Sequence, residues 1–247
     1  MVSPKISIIT ISFNAELYIE RTIKSVNAQT YPHIEFIIID GASKDKTVDI
    51  IKQYKTHISK WISEPDKSHF DAMNKGLALA TGDYVWYMNA GDCIAESTTL
   101  ANIVKEMKGA DFIYGDTIIV KEDGSSRPWY KQKPAESDIS YKSFRNGMVV
   151  CHHSMMAKRH LVPQYALGPW HVSNDIDWSI RLAKACKTFR ETSFVWCKYL
   201  DGGISDKNRI KAVKERFDIS VKHFGLFPTL YEQVKILFQV IKRGKLS

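Results

Sequence analysis

The sequence contains little cysteine, and its four cysteines lie far apart. They form no C-x-x-C pair or other zinc-like spacing, so we expect reduced, partly buried thiols in a cytosolic protein. No apolar run reaches the roughly 18 residues that a transmembrane helix requires. Internal repeats and low-complexity stretches are also absent, which excludes repeat architectures and largely disordered chains.

Several catalytic motifs are absent as well. No G-x-G-x-x-G sequence follows the first predicted strand, which argues against a dinucleotide-dependent dehydrogenase. Residues 41–47 resemble a phosphate-binding loop but lack its second glycine, so backbone amides cannot surround a phosphate in the usual way. The chain has neither a G-x-S-x-G nucleophile elbow nor an H-E-x-x-H zinc helix.

Acidic residues are too few to balance the basic ones near the C-terminus. The 247-residue chain has a net charge of +8, and residues 207–247 contribute +7 of it through ten basic and three acidic residues. The remaining chain is therefore nearly neutral. Since no nucleic-acid-binding motif accompanies the basic tail, we predict no nucleic-acid partner.

The first half contains a regular alternation of strand and helix patterns. Apolar strands are predicted at 5–13, 34–39, 60–63 and 84–88, and helices at 15–29, 44–54 and 71–80. Such a pattern is typical of a parallel sheet with helices on its faces. We expect Asn14 to cap the first of these helices.

The second half has a weaker pattern. Strands are predicted at 112–114, 117–120 and 194–199, and helices at 175–185, 207–224 and 228–242. We predict an α/β domain over residues 1–205 and a basic helical extension over residues 206–247.

Polar residues follow the predicted strands at their carboxyl ends, where ligands bind to parallel sheets. Ser12 and Asn14 follow the first strand, Asp40 the second, and Asn89 to Asp92 the fourth. Each one alone is also explained as a turn former or helix cap. Together, at one edge of the sheet, they indicate a binding site.

Four segments occur in the order typical of one family: KISIITISFNAELYIERTIKSVNAQTYPHIEFIIIDGASKDKTVDII, HFDAMNKGLALATGDYVWYMNAGD, NDIDWSIRLA and GGIS. Together they resemble inverting glycosyltransferases of family 2, in particular those of bacterial surface-polysaccharide synthesis. The resemblance implies a GT-A fold, which is Rossmann-like with a mostly parallel central sheet flanked by helices. It also implies hexosyl transfer from a nucleotide-sugar donor, expected to be a UDP-sugar, to a glycan or lipid-linked acceptor.

Sugar transfer requires a nucleoside pocket, positive charge for the departing diphosphate and a base for the acceptor hydroxyl. The resemblance implies that Asp40 accepts the uracil N–H and that Lys75 neutralises phosphate. The alternatives are a tight Asp-Gly turn at Asp40, a solvated charge at Lys75 and a helix N-cap at Asp71. The donor-binding residues predicted in this way are Ser12, Asn14, Asp40, Ser43, Asp71, Asn74, Lys75, Asn89, Ala90, Gly91 and Asp92.

The predicted metal site has an unusual sequence. Residues 89–92 occupy the place of the family's D-x-D element, but Asn89 and Gly91 stand at its earlier acidic positions. Asp92 therefore remains as the clear carboxylate ligand for Mn²⁺ or Mg²⁺. Its alternative role is a turn residue or helix cap.

Asp175 aligns with the catalytic aspartate of the family, and Asn174 replaces the glutamate before it. Asp177 points about 200° away on the same helix, so both aspartates cannot face one hydroxyl. We predict Asp175 as the single base, which implies direct displacement with inversion; a helix cap is the alternative. Asn174, Asp177 and His152 are predicted on the acceptor side.

Other residues have two open interpretations. Adjacent residues in a strand face opposite ways, so we do not expect His152 and His153 to bind one ion. His152 either lines the acceptor side, as the resemblance implies, or is a structural histidine with satisfied hydrogen bonds. Trp170, His171 and Trp196 form either a sugar-stacking surface or part of the core. Residues 202–205 are predicted as a flexible turn near the site.

The tail has apolar residues at helical spacing within 226–241, beside several basic residues. This favours either a peripheral contact with the cytoplasmic face of an anionic inner membrane, or packing on the body or in a homodimer. Two other functions compete with sugar transfer. A sugar nucleotidyltransferase would carry a Gly-rich N-terminal loop, which is absent, and a catalytically silent nucleotide-binding scaffold would release no nucleotide from any sugar donor.

Overall fold

One mixed sheet organises the residues that the computed structural model describes, which are 3–121, 123–129, 133–202 and 208–244. Its strands are β1 (Ile6–Ser12), β2 (Ile34–Asp40), β3 (Lys60–Ser63), β4 (Tyr84–Tyr87), β5 (Cys93–Ile94), β6 (Phe112–Val120), β7 (Ser126–Pro128), β8 (Met155–Lys158) and β9 (Phe189–Leu200). Their spatial order is β3-β2-β1-β4-β8-β6-β9-β5, with β7 paired to β6. The pairs among the first four strands of this order are parallel, as is β6 with β9; the other pairs are antiparallel.

Helices cover both faces of the sheet. They are α1 (Ile19–Asn27), α2 (Thr47–Gln53), α3 (His69–Leu79), α4 (Thr99–Glu106), α5 (Asn174–Ala185), α6 (Arg209–Phe224) and α7 (Leu226–Gly244), with short 3₁₀ turns at Lys55–His57, Tyr141–Asn146, His152–Ser154 and Arg159–Leu161. Buried side chains of α1, α2 and α4 form one core cluster, and those of α3, α5 and α6 form the other. The predicted α/β class is therefore confirmed.

The two cores explain the Ile-rich first strand. Ile8 belongs to one core cluster, whereas Ile9 and Ile11 belong to the other. Because successive side chains of a strand point to opposite faces, a strand covered on both sides reads as a continuous apolar run. β1 consequently lies in the middle of the parallel region, between β2 and β4.

The strand register brings polar residues together at one edge of the sheet. Ser12 pairs with Asp40 at the carboxyl ends of β1 and β2, and Asp40 pairs with Ser63 at the end of β3. The loop after β4 begins at the same edge. The structure therefore forms the polar edge that the sequence pattern indicated.

The prediction that Asn14 caps the first helix is wrong. α1 begins at Ile19, and Asn14 adopts a left-handed backbone conformation with φ of 46°. Its side-chain oxygen instead accepts a hydrogen bond from the Lys44 backbone N–H, 2.9 Å away. The loop after β1 is thus joined to the loop after β2, which a purely local pattern cannot reveal.

The two strands predicted near residue 115 are one continuous strand, β6. Its register against β9 shifts around Asp116, which explains the apparent break. Gly115 lies against the Trp196 indole, and an added Cβ there would be only 2.2 Å from its Nε1 atom. The short strands β5 and β8 were not predicted.

Helix α6 packs onto the rest of the chain. Ala212 and Ile219 on this helix are fully buried, and the Ser220 hydroxyl donates to the Arg145 carbonyl over 2.6 Å. The predicted domain boundary at 205/206 lies outside the described residues. Within the described part of the chain, no helix is long and apolar enough to cross a lipid bilayer.

Candidate active site

A cavity of about 400 Å³ opens at the carboxyl edge of the sheet. Loops after β4 and β9, the first turns of α3 and α5, and the His152–Ser154 turn contribute its walls. Its polar lining includes the side chains of Asn89, Asp92, His152, His153 and Asp175. The cavity therefore brings the predicted metal ligand and the predicted base together.

Asp92 is held from several directions. Its Oδ1 atom accepts the Leu200 N–H over 2.9 Å, and its Oδ2 atom lies 2.7 Å from His153 Nδ1. The Thr22 hydroxyl donates to the Asp92 carbonyl over 2.7 Å and accepts the Gly91 N–H over 3.0 Å. Gly91 has a φ of 105°, which favours glycine in this turn. These contacts fix the carboxylate at the cavity wall.

The expectation that His152 and His153 face opposite ways, which assumed a strand, is wrong. Residues His152–Ser154 form a 3₁₀ turn, the two imidazole rings are 3.8 Å apart, and both line the cavity. Burial, followed by the nearby His153, lowers the pKa of His152 well below its usual range, so its ring is neutral at physiological pH.

The donor atoms around Asp92 fit a hard divalent cation. Asp92, His153 and Cys197 present ligand atoms within 4.8 Å of one another. A carboxylate and an imidazole both suit Mn²⁺, whereas burial raises the pKa of the Cys197 thiol well above normal and keeps this soft ligand protonated. The buried Asn89 Oδ1 atom, on the same wall, has no hydrogen-bond partner among the residues that the structure describes.

Asp175 presents its carboxyl group from the first turn of α5. Oδ2 lies 4.0 Å from His152 Nδ1, and Oδ1 accepts the Ile176 N–H over 3.0 Å. Burial raises the pKa of Asp175 to about 6, despite the opposing effects of the Ile176 amide and of nearby positive charge. The side chain remains 24% exposed and borders the cavity. Such a carboxylate can accept a proton near neutral pH.

Asp177 and Asp175 have different surroundings, although they lie on the same helix. Asp177 is fully buried, and its carboxylate binds Arg181 Nε, Lys222 Nζ and His223 Nε2 at 2.7, 2.9 and 2.8 Å. These partners hold the pKa of Asp177 well below its usual range even though burial alone would raise it. Asp177 is not among the cavity-lining residues, so we remove it from the predicted acceptor side.

Asn174 lies at the start of α5 but is fully buried. Its Nδ2 atom donates to the Ala166 carbonyl over 2.7 Å, and its Oδ1 atom has no hydrogen-bond partner in the described part of the chain. It does not line the cavity. The amide therefore fastens the loop before α5 to the helix.

Asp40 forms the centre of a serine cluster below the surface. Its carboxylate accepts hydrogen bonds from the hydroxyl groups of Ser12, Ser43 and Ser63, over 3.1, 2.5 and 2.6 Å. The Ser43 N–H also donates to it. Because Asp40 is 0% exposed, a uracil N–H could reach it only by displacing one of these donors. Sequence reasoning did not anticipate this burial.

The predicted phosphate-site residues have other partners. Asn74 exchanges two hydrogen bonds with the Tyr165 backbone, at 2.9 and 2.7 Å. Lys75 Nζ lies 2.9 Å from Glu64 and 2.7 Å from Asp66. Asp71 is not the N-cap of α3, since Ser68 occupies that position; its carboxylate accepts the Lys67 N–H instead. Ala90 lines the cavity beside Asn89.

Phe13 is a surface feature that sequence reasoning missed. It follows β1 directly and is 65% exposed, next to Gly41 at the end of β2. An added Cβ at Gly41 would lie 3.2 Å from the Phe13 ring and 3.0 Å from Asp66 Oδ2. The signal for Phe13 that the sequence offered was a large aromatic residue between a buried strand and Asn14.

Trp196 does not form a sugar-stacking surface. It is fully buried, and its indole N–H donates to the Thr192 hydroxyl over 2.7 Å. Trp170 packs under the Lys222 ammonium group, 4.5 Å from its ring centroid, and neither Trp170 nor His171 lines the cavity. Core packing is therefore the correct interpretation for Trp196. Of the predicted turn at 202–205, Gly202 lines the cavity, and residues 203–205 lie outside the described residues.

Comparison with known protein sequences gives relatives of this chain. An uncharacterised glycosyltransferase of Mycobacterium tuberculosis is 41% identical over 108 residues, which are 43% of this chain and 41% of that protein. The alignment thus spans about two-fifths of that relative. A PGL/p-HBAD biosynthesis glycosyltransferase of Mycobacterium bovis is 26% identical over 234 residues, or 90% of this chain and 87% of that protein.

Solved structures give the same fold. A fragment of S. aureus TarS in complex with UDP-GlcNAc has a TM-score of 0.65 at 15% identity, covering 88% of this chain and 66% of that chain. Glucosyl-3-phosphoglycerate synthase from Mycobacterium tuberculosis, solved with Mn²⁺, UDP and glucosyl-3-phosphoglycerate, has a TM-score of 0.59 at 15% identity, covering 90% and 81%. These neighbours are GT-A glycosyltransferases, which confirms the predicted GT-A fold.

The family model described as Glycosyl transferase family 2 matches residues 7–165, which is more than half of the chain. The polar carboxyl edge, the Asp92 loop and part of the cavity wall all lie within this match. The family indicated by the sequence motifs is thus confirmed, and the chain belongs to glycosyltransferase family 2.

Proposed function

We propose that the protein is an inverting glycosyltransferase that moves a hexosyl group from a UDP-sugar to an acceptor hydroxyl in bacterial surface-polysaccharide synthesis. The observation that carries this proposal is the single cavity that contains both Asp92, with His153 at 2.7 Å, and Asp175, whose pKa is about 6. A ligand for a cation that binds diphosphate and a proton acceptor in one cavity are what direct displacement needs.

In this proposal Asp175 is the general base. Its carboxylate takes the proton of the acceptor hydroxyl while the acceptor oxygen attacks the anomeric carbon, and the nucleoside diphosphate leaves from the opposite face. One displacement inverts the anomeric configuration. His152, 4.0 Å from Asp175 and neutral, is placed to orient the acceptor hydroxyl without competing as a cation.

Asp92 and His153 are the proposed ligands of a Mn²⁺ or Mg²⁺ ion, with Asn89 beside them as a further oxygen donor. Such an ion stabilises the negative charge that develops on the leaving diphosphate. The side chains of this chain provide the fixed carboxylate and imidazole. The Leu200 amide keeps the Asp92 carboxylate oriented through a hydrogen bond of 2.9 Å.

We also propose that the donor base stacks on Phe13 over Gly41, with the Asp40–Ser43 pair at its edge. An aromatic ring exposed beside a glycine offers a flat surface for a nucleobase. Asn14 and Ser12 hold the two loops that form this surface, through Lys44 and Asp40 respectively.

Replacing Phe13 by alanine is expected to raise the donor KM about tenfold, because base stacking on an aromatic ring contributes roughly 1–3 kcal/mol. The turnover number should change less than twofold, since the ring lies away from Asp175. Donor titration at fixed acceptor concentration measures both constants. Leu17→Ser, another exposed apolar residue after β1, is the matched control. An unchanged donor KM in Phe13→Ala would contradict the stacking surface.

The proposed function is tested by nucleotide release from UDP-, GDP- and dTDP-sugars, each with and without Mn²⁺. We expect release from a UDP-sugar in the presence of Mn²⁺, increased by a suitable acceptor. Release only from GDP- or dTDP-sugars would overturn the uracil assignment. No release from any donor would overturn the enzyme assignment and favour a nucleotide-binding scaffold.

We further propose a lipid-linked acceptor and peripheral attachment to the cytoplasmic face of an anionic membrane. Large apolar side chains are exposed along α6 and α7; they are Ile210, Val213, Leu226, Phe227, Leu230, Tyr231, Val234 and Phe238. Exposed basic residues, among them Lys211, Lys214 and Lys235, lie on the same two helices. An apolar stripe with basic neighbours fits an anionic lipid surface better than a second, equally basic copy of the chain.

The triple change Phe227→Ser, Tyr231→Ser and Phe238→Ser is expected to reduce binding to phosphatidylglycerol-containing vesicles about 10³-fold or more, because each of the three buried aromatics contributes on the order of 2 kcal/mol. Co-sedimentation of the full chain measures it, with pure phosphatidylcholine vesicles as the lipid control. Leu17→Ser serves as the protein control. Equal sedimentation of the triple variant and the wild type would contradict the membrane contact. A concentration-dependent dimer of the wild type would then indicate that these side chains form a homodimer interface.

A further inference from the structure

Helix α6 forms hydrogen bonds with the segment that precedes α5, the helix that carries Asp175. The Glu215 carboxylate accepts hydrogen bonds from three consecutive backbone amides, those of His171, Val172 and Ser173, over 3.0, 2.8 and 2.8 Å. The Ser173 hydroxyl adds a fourth contact by donating to the Ala212 carbonyl of α6 over 3.2 Å. The segment is thus fixed two residues before Asp175.

The same helix also contacts α5 on the C-terminal side of Asp175. Lys222 and His223, near the end of α6, bind the buried Asp177 carboxylate at 2.9 and 2.8 Å. Asp175 therefore lies between two points at which α5 and its preceding loop are tied to α6. Of the residues that make these contacts, Val172 borders the cavity, whereas Asp177, Lys222 and His223 do not.

Glu215 is an unusual partner for these amides. It is only 5% exposed, and it forms no ion pair within the described part of the chain. Burial alone would raise its pKa, but the three amides lower it, so the group is ionised at neutral pH. A buried carboxylate satisfied by amides is stable only while those amides remain in place.

The N-terminus of α5 has no side-chain cap of its own. Ser173 occupies the cap position, but its hydroxyl points to α6 and makes no capping hydrogen bond. Glu215 supplies the negative group near this helix end from a different helix. The orientation of the first turn of α5, and with it Asp175, is consequently set by α6.

We propose that Glu215 is a positioning residue for sugar transfer: it holds residues 171–173 so that Asp175 meets the acceptor hydroxyl. This inference rests on the proposed function, in which Asp175 is the base. It also assigns α6 a part in the active site, although the sequence motifs of the family end before it.

The test compares Glu215→Gln with the matched control Asp218→Asn in the full chain. Glutamine has the shape of glutamate, but its NH₂ group must face at least one of the three amides. Asp218 is an exposed acid one turn further along the same helix. We expect Glu215→Gln to lower kcat about 10- to 100-fold, as small misplacement of a reacting group does. Donor KM should stay within twofold, because Asp92 and Phe13 lie on other elements.

Hydrogen exchange provides a second readout. The amides of residues 171–173 should exchange faster in Glu215→Gln than in Asp218→Asn, whereas those of β1 should not differ. A variant that loses kcat, donor affinity and thermal stability together would show a merely structural role and overturn the inference. Unchanged kcat would overturn it as well. A wild type without turnover overturns the proposed function itself, so the two failures are distinguishable.

Discussion

Replacing Asp175 by asparagine is expected to reduce sugar transfer by about 10²- to 10⁴-fold, because the acceptor hydroxyl then loses its proton acceptor. Donor KM should remain within twofold, since the change leaves Asp92 and the Phe13 surface intact. Transfer is measured as nucleotide release with saturating acceptor. A variant with wild-type turnover would contradict the role of Asp175.

The same substitution is expected to make the protein more stable at pH 7.5. The pKa of Asp175 is about 6 in the folded protein and near 3.8 without its surroundings, so the charged form is disfavoured by folding. This cost is present above pH 6 and disappears as the pH falls through 6 toward 3.8. Asparagine removes it, which should raise the free energy of unfolding by on the order of 1–3 kcal/mol.

Asp177, two residues away, is a control for which we expect the opposite change in stability. Its carboxylate is paired with Arg181, Lys222 and His223, and its pKa is lowered. Asp177→Asn should therefore destabilise the protein at neutral pH, by about 3–5 kcal/mol for a broken buried ion pair. Thermal unfolding at pH 7.5 compares the two variants. Shifts of equal sign in Tm would contradict the contrast between these carboxyl groups.

A general base with this pKa also predicts the pH profile. The base must be deprotonated to act, so kcat/KM should fall about tenfold per unit below pH 6 and level off above it. Asp175→Asn should lack this acid limb in its residual activity. A profile that is flat from pH 5 to 8 in the wild type would contradict the assignment.

Replacing Asp92 by asparagine is expected to have the second largest effect. Transfer should fall about 10²- to 10³-fold, because a neutral amide is a poor ligand for a hard cation and the leaving diphosphate loses its stabilisation. The stabilisation of the protein by UDP with Mn²⁺, relative to UDP with a chelator, should disappear. Differential scanning fluorimetry measures that shift without depending on turnover.

Asp49→Asn, an exposed change on α2, is the matched control for this experiment. It should retain both the Mn²⁺-dependent shift and full turnover. A normal Mn²⁺-dependent shift in Asp92→Asn would contradict Asp92 as a ligand. Full wild-type turnover in the presence of a chelator would contradict the requirement for a cation.

Much of the fold was predictable because helices cover both faces of the parallel strands. The continuous apolar runs at β1 and β2 and the helical spacing between them follow directly from that burial. The polar carboxyl edge was predictable for the same reason. β5 and β8 contain two and four residues, too few to produce a period, and they form because longer strands lie beside them.

The site was less predictable where contacts come from distant residues. Asp175 and Asp92 could be proposed from motifs, but nothing near Asp40 in the sequence indicates that Ser63 fills its remaining hydrogen-bonding position. The partners of Asp177 lie on α6, and the turn that directs both histidines into the cavity has no periodic signal. Local patterns predict elements, whereas these contacts depend on how the elements meet.

The contact between Glu215 and the loop before α5 has a consequence for the order of events on the ribosome. Asp92 and Phe13 emerge early, and Glu215 emerges 40 residues after Asp175. Synthesis proceeds at about 5–20 residues per second, and domains generally fold as units. Asp175 therefore leaves the ribosome seconds before Glu215 is available to hold residues 171–173, so the proposed positioning of the base is completed only late in synthesis.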